Sequence, residues 1–146
     1  MGWSYMSLLS WEPRLTSKKK KGDITFMNTN TTKISNAAII LADVPYNDQN
    51  PRQCMGRHYY ILISNNACCR NSPVLQAIPT SSNINRRLPV QVEIHAECFS
   101  RRTYALAEQL TLLPREIFER GLYCGHLGED SLIALRKAIK LQLSLD

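Results

Sequence analysis

Two pairs of adjacent polar residues sit in the middle of the chain, at opposite ends of strand-like runs. Arg57-His58 opens the run GRHYYILISNN (56–66), and Thr80-Ser81 closes the run SPVLQAIPTSS (72–82). An arginine guanidinium is a planar fork that matches paired phosphate oxygens. Histidine ordinarily changes charge near neutral pH, so it can give or take a proton. A threonine or serine hydroxyl can hydrogen-bond a phosphate oxygen. The two pairs therefore hold the residue types needed to grip a phosphate and move a proton at it. Residue type alone does not separate such a set from ordinary solvated side chains at a strand start, so the surrounding elements carry the next step.

Ala37 to Val44 (AAIILADV) is a short apolar run ended by Pro45, and it predicts a buried strand. Tyr46 to Met55 has no apolar periodicity and carries Asn, Asp and Pro51, so it predicts a loop. Tyr59 to Ser64 predicts a second strand, closed by Asn65-Asn66, and Val74 to Ile78 a third, introduced by Ser72-Pro73. Ser81 to Arg87 is a polar loop. Leu88 to His95 alternates, with Val90, Val92 and Ile94 on one face and Gln91, Glu93 and His95 on the other. Thr103 to Leu113 predicts a further strand stopped at Pro114, which suits the first turn of a short helix, Arg115 to Arg120. Gly121 to Leu127 predicts a last short strand. Glu129 to Leu143 is one amphipathic helix: Leu132, Leu135, Ile139 and Leu143 fall at helical spacing, with Ile133 and Ala138 widening the stripe. Its acidic start (Glu129, Asp130) and later Arg136, Lys137 and Lys140 suit the helix dipole. The outline is mainly β, a small barrel of short strands with a closing C-terminal helix. Both polar pairs then lie at sheet ends.

The totals narrow the function classes. The chain has 146 residues, enough for one domain with a core of its own. The net charge is +6, but six basic and two acidic residues fall in 1–36, leaving +2 over 37–146. The folded part is nearly balanced, so overall charge is weak support for a nucleic-acid partner. Residues 1–35 are expected to form a basic, flexible extension, with Lys18 to Lys21 a possible tether to RNA or DNA. The longest purely apolar run, Ala37 to Ala42, is too short to span a bilayer, so no membrane association is expected. The five cysteines are odd in number, with Cys68-Cys69 adjacent and no CxxC, which points to a reducing cytoplasm rather than a disulfide framework. His95, Cys98, Cys124 and His126 supply zinc-ligand types, but not at standard finger spacings, so no metal and no cofactor are expected.

From about Ala37 to the C-terminus the chain resembles the MazF/PemK family of toxin ribonucleases from type II toxin–antitoxin systems. The resemblance is carried by ADVPY (42–46), GRHYYILISNN (56–66), SPVLQAIPTSS (72–82), LPVQVEI (88–94), AEQL (107–110) and the helix after Gly128. It implies a small SH3-like β-barrel over residues 36–146 that forms a homodimer. It further implies a growth-inhibiting enzyme of the bacterial cytoplasm that cleaves single-stranded RNA, mRNA in particular, at short sequences and without a metal. A partner antitoxin would block the site. Gly22-Asp23-Ile24 resembles the family's N-terminal motif but lies far upstream of Ala42-Asp43-Val44, and is read as part of an extension. The family has Arg-Pro leading into the second strand, whereas here Arg57 is followed by His58-Tyr59. Matching on Ile63-Ser64-Asn65 places His58 at the arginine position; matching on Gly56-Arg57 selects Arg57. Counting from Ser72-Pro73 selects Ser81 as the second residue of the site, and counting back from Leu88-Pro89 selects Thr80.

In that chemistry the ribose 2′-hydroxyl attacks the adjacent phosphorus, giving a 2′,3′-cyclic phosphate and a 5′-hydroxyl. The protein must move two protons and stabilise charge on the phosphorane. Catalytic candidates are Arg57, His58, Thr80 and Ser81. Candidates for holding RNA are Tyr46, Arg86, Arg87, Glu108 and Gln109, with Arg101 and Arg102 as further loop arginines. Tyr59 and Tyr60 could stack on bases, although alternation assigns one of them to the core. Two other readings stand beside this one: a non-catalytic RNA- or protein-binding module on the same barrel, and a topoisomerase-inhibiting toxin.

Overall fold

The computed structural model describes residues 33–146. Apart from its last three residues, the expected N-terminal extension 1–35 lies outside them. Strand β1 (Ala38–Val44) pairs antiparallel with β2 (Gly56–Leu62), from Ile39 opposite Ile61 to Val44 opposite Gly56. A short helix α1 (Asn66–Asn71) leads from β2 into β3 (Val74–Ser81), which pairs back onto β2 with Tyr60 opposite Pro79 and Leu62 opposite Ala77. Then follow β4 (Gln91–Ile94), β5 (Thr103–Leu106), a 3₁₀ turn (Ala107–Gln109), β6 (Thr111–Pro114), α2 (Arg115–Glu119), β7 (Leu122–His126) and α3 (Glu129–Gln142). All pairings are antiparallel, in the order β4-β5-β3-β2-β1-β7, with β6 also on β3. The architecture is mainly β with a C-terminal helix, as expected. The seven-stranded sheet curls without closing, with β4 and β7 as its free edges, so "barrel" describes its curvature only.

The sheet is buried on both faces, which is why β1 reads as an unbroken apolar run. Ala38, Ile40, Ala42 and Val44 face Tyr60, Leu62, Leu75 and Ala77, together with Ile117 and Phe118 of α2. Ile39 faces the other way, with Ile61, Ile78, Ile94 and Ala105, against Leu135 and Ala138 of α3. Each fully buried Leu, Ile or Phe side chain stabilises the fold by about 1.5–3 kcal/mol. One charge sits among these elements: buried Arg115 donates from Nε to the Ser72 carbonyl at 2.9 Å and from its terminal nitrogen to the Cys69 carbonyl. Both acceptors lie at the end of α1, where helical carbonyls lack partners.

Several expectations are corrected. Thr103 to Leu113 is not one strand. The 3₁₀ turn divides it, so β6 pairs with Val74–Ala77 of β3 while β5 pairs with Thr80 and Ser81 on the same side. Ile78 and Pro79 fall between these two partners, where a proline without an N–H costs the sheet least. Strand β4 is only four residues long, and its alternation is incomplete. Gln91, expected outside, is 8% exposed because its amide is used by Glu108 and by the Leu88 N–H. On α3, Ala138 and Leu135 are buried as expected, but Ile133 and Leu143 are exposed and Ser131 is buried, donated to by the His95 N–H at 3.0 Å. Helix α1 follows the Asn65-Asn66 close of the second strand, where no helix is expected; Asn65 caps it by accepting from the Cys68 N–H at 2.9 Å.

Candidate active site

Strand β2 opens at Gly56 with φ at 78°, a left-handed conformation that glycine adopts without strain. From there side chains alternate. Arg57 lies opposite Asp43 of β1, and His58 opposite Ala42. On β3, Ile78 is opposite Ile61 and Pro79 opposite Tyr60. Alternation therefore puts Arg57, Tyr59 and Thr80 on one face, and His58, Tyr60 and Ser81 on the other. The two pairs that the sequence left open are thus sorted: Arg57 goes with Thr80, and His58 with Ser81.

All four nevertheless line a single cleft of about 350 Å³ that wraps over the strand ends. Tyr59, Ser82, Asn83, Phe99, Ser100 and Arg101 complete much of its wall, and no carboxylate among the described residues lines it. Thr80 is 3% exposed and its hydroxyl donates to the Tyr59 carbonyl at 3.0 Å. The Ser81 hydroxyl accepts from the Asn83 N–H at 3.1 Å and donates to the Asn83 carbonyl at 3.2 Å. By contrast, the Arg57 guanidinium and the His58 ring make no hydrogen bond or ion pair among the described residues. His58 meets Tyr60 edge-on, with ring centroids 6.5 Å apart. Tyr59 packs edge-on against Phe99 at 5.2 Å, and its hydroxyl donates to the Cys98 carbonyl at 3.3 Å. Burial raises the Tyr59 phenol, helped by the Cys124 and Cys98 thiols and opposed by Arg57.

The other candidates are not all in this cleft. Glu108 and Gln109 sit on the 3₁₀ turn, beneath the 45–55 loop. Gln109 Oε1 accepts from the Cys54 N–H at 2.6 Å, and its amide nitrogen donates to the Arg52 carbonyl at 3.4 Å. Gln53 donates to the Thr111 hydroxyl at 3.4 Å. One oxygen of Glu108 accepts from the Gln91 amide, and the other is buried without a partner. A separate cleft of about 400 Å³ opens here, lined by Asn50, Arg52, Gln53, Glu108, Gln109, Leu110 and Thr111. Burial, and then the Glu108 charge, raises the Cys54 thiol. Tyr60 is 1% exposed; its phenol is pushed up to about 12 by burial and by Cys54 and Asp43, and its hydroxyl has no hydrogen-bond partner among the described residues. Tyr60 is therefore core, leaving Tyr59 and the exposed Tyr46 as the stacking candidates. Arg86 is exposed. Arg87 is tied down, donating from Nε to the Gln91 carbonyl at 3.0 Å and lying 5.5 Å from the Tyr104 ring centre. Arg102 pairs with Glu93 at 3.4 Å. Among the described residues no group of three or more His, Cys, Asp or Glu could hold a metal ion, so the zinc-ligand types at His95, Cys98, Cys124 and His126 do not form a site. Arg52 and Gln53 lie in an aperiodic loop, where no local pattern marks them out.

A family model described as PemK-like, MazF-like toxin of type II toxin-antitoxin system matches residues 35–143. The chain belongs to that family. Among solved structures it is similar to MazF from Deinococcus radiodurans, at 18% identity and a TM-score of 0.64, covering 76% of this chain and 96% of that one. It is also similar to an endoribonuclease in complex with its cognate antitoxin from a mycobacterial species, at 19% identity and a TM-score of 0.62, covering 77% and 96%. A third is the Mycobacterium tuberculosis toxin MazF-mt6, at 15% identity and a TM-score of 0.56, covering 75% and 98%. No curated protein matches. No helix among the described residues is long and apolar enough to cross a membrane.

Proposed function

We propose that this protein is a sequence-specific, metal-independent endoribonuclease toxin that cuts single-stranded RNA, mRNA included, in the bacterial cytoplasm. Residues 36–146 are the catalytic domain, acting as a homodimer that an antitoxin neutralises. The observation that carries this reading is the cleft at the start of β2. It is lined by two arginines and a histidine and by no carboxylate among the described residues, and the Arg57 and His58 side chains make no hydrogen bond or ion pair there. Such a site attracts a phosphodiester and leaves its cationic and proton-transfer groups free to act on it.

In this mechanism the substrate supplies its own nucleophile. Arg57 and Arg101 hold the non-bridging oxygens of the scissile phosphate and offset the charge that builds on the phosphorane. His58 takes the proton from the attacking 2′-hydroxyl as the new O–P bond forms. The P–O bond to the 5′-oxygen breaks, that oxygen takes a proton from water, and the His58 imidazolium returns its proton to solvent, so the products are a 2′,3′-cyclic phosphate and a 5′-hydroxyl. Ser81, on the face of His58, bonds a phosphate oxygen once its hydroxyl turns away from the Asn83 carbonyl, whereas buried Thr80 holds the strand beneath. Tyr46 and Arg86 contact RNA outside this centre, while Glu108 and Gln109 hold the 45–55 loop beside it.

The test is incubation with a long mixed-sequence RNA in the presence of a chelator, mapping cut sites and end chemistry. The expected result is cutting at one short sequence with cyclic phosphate ends. An Arg57→Ala/His58→Ala variant that keeps its circular dichroism should not cut. Undiminished cleavage by that variant would remove the site assignment, and intact RNA with the wild-type protein would remove the activity.

A further inference from the structure

β7 covers only part of β1. Their pairing runs from Ala38 to Leu41, which lies opposite Leu122, while β1 continues to Val44. Beyond Leu41 the outer edge of β1 pairs with no strand among the described residues. The chain crosses onto β1 at Gly121, where a Cβ would lie 2.6 Å from Ile40 Cγ2 and 2.8 Å from the Leu41 carbonyl oxygen. That close crossing ends α2 at Arg120 and leaves a cleft of about 490 Å³ beside that edge. The cleft shares Leu41 and Arg57 with the candidate active site, so Arg57 stands on the wall between them. Leu41, Ile117 and Leu122 give it an apolar side, and Leu122 is 62% exposed. Arg120 and Asp43 line it as well, and neither side chain makes a hydrogen bond or ion pair among the described residues.

We propose that this second cleft is a nucleotide subsite, seating the residue of an RNA strand next to the phosphate held at Arg57, and that Asp43 selects its base. The inference rests on the ribonuclease reading above. Its volume falls in the range of small-ligand sites, and an apolar wall with few charged groups is their usual lining. Arg120 holds the neighbouring phosphate, across the cleft from Arg57. The base lies against Leu41 and Leu122 with its hydrogen-bonding edge toward Asp43. A carboxylate accepts but cannot donate. Guanine offers it two parallel N–H groups, a bidentate match. Uracil offers one N–H set between two carbonyl oxygens that repel the carboxylate. The subsite therefore favours guanine and disfavours uracil.

The experiment uses fluorescently labelled 2′-O-methyl RNA hexamers, which bind but cannot be cleaved, varied at one position at a time. Anisotropy gives affinity as a function of salt for the wild type and for the Arg57→Ala, Arg120→Ala, Asp43→Asn and Arg70→Ala variants, the last controlling for loss of one distant positive charge. Arg120→Ala should weaken binding about tenfold and lower the salt slope by about 0.7, the value for one phosphate contact on a single strand. Arg70→Ala should change neither. Asp43→Asn should cut the guanine-over-uracil preference at one position about tenfold and leave the other positions unchanged. If Arg57→Ala weakens binding while Arg120→Ala and Asp43→Asn behave like Arg70→Ala, the subsite is overturned and the main site stands. If the wild type binds no hexamer, both fall.

Discussion

The cleft at the start of β2 and the clamp beneath the 45–55 loop are built from similar residues and use them in opposite ways. In the cleft, Arg57 and His58 have no hydrogen bond or ion pair among the described residues. In the clamp, Gln109 is spent on the backbone of Cys54 and Arg52, Gln53 on Thr111, and one oxygen of Glu108 on Gln91. Polar groups already satisfied within the fold give shape; polar groups left open await a ligand. The difference assigns chemistry to the first region and positioning of the loop to the second.

The largest expected effect separates these roles. His58→Ala should lower cleavage by about 10²–10⁴-fold, the usual worth of a positioned acid or base. Arg57→Ala should lower it through both binding and turnover. Neither should alter thermal stability by more than about 1 kcal/mol, since Arg57 is exposed and His58 gives up only its edge-on contact with Tyr60. Single-turnover cleavage and melting curves check both. A variant that cuts normally, or one that unfolds, removes the contrast.

Tyr60 is the next test, because its hydroxyl is buried beneath the clamp with no hydrogen-bond partner among the described residues. Its folded pKa is raised from the ordinary 10.0 to about 12. The folded state then keeps the proton after the unfolded chain has lost it. Stability is whole below the ordinary value and falls as pH climbs toward the raised one, on the order of 2–3 kcal/mol in full. Tyr60→Phe should be neutral or slightly stabilising at neutral pH, since it removes an unpaired polar group, and should flatten the alkaline limb. Denaturant titrations across that range decide it; an unchanged limb in the Phe variant places the titrating group elsewhere.

Gln109→Ala should cost about 1–2 kcal/mol from two lost bonds to the loop backbone. It should also speed protease nicking within 45–55. Unchanged nicking with a raised KM for RNA would make Gln109 a substrate contact instead of a clamp.

Much of this was legible in the residues, and the limits are physical. Runs such as AIILADV or the α3 stripe announce themselves because burial follows local periodicity. The break at Ala107–Gln109 does not, since no Gly or Pro marks it and it exists only because β3 takes two partners on one side. Gln91 reads as outward until Glu108, seventeen residues on, supplies the bond that pays for its burial. The site residues were recognisable by type. Which of Arg57 and His58 shares a face with Thr80 or Ser81 depends on the pairing of Tyr60 with Pro79, a long-range register that neither strand encodes alone.

The smallest effect carries the same contrast to a second histidine. His126 on β7 has both ring nitrogens engaged: Nε2 lies 2.5 Å from the Ser35 hydroxyl and Nδ1 2.7 Å from the Tyr123 hydroxyl. Burial lowers its pKa from the ordinary 6.5. A depressed value means that the unfolded chain takes up the proton first as pH falls. The contribution of His126 is therefore present above the ordinary value and lost as pH drops through the lowered one. The residue is largely exposed, so solvent screening keeps the loss small. His126→Gln should flatten the acid limb of stability and leave cleavage intact, while His58→Gln should abolish cleavage. If His126→Gln keeps the wild-type acid limb, the tie between Ser35 and β7 is not what titrates. If it abolishes cleavage, the division between engaged and open histidines fails at its clearest pair.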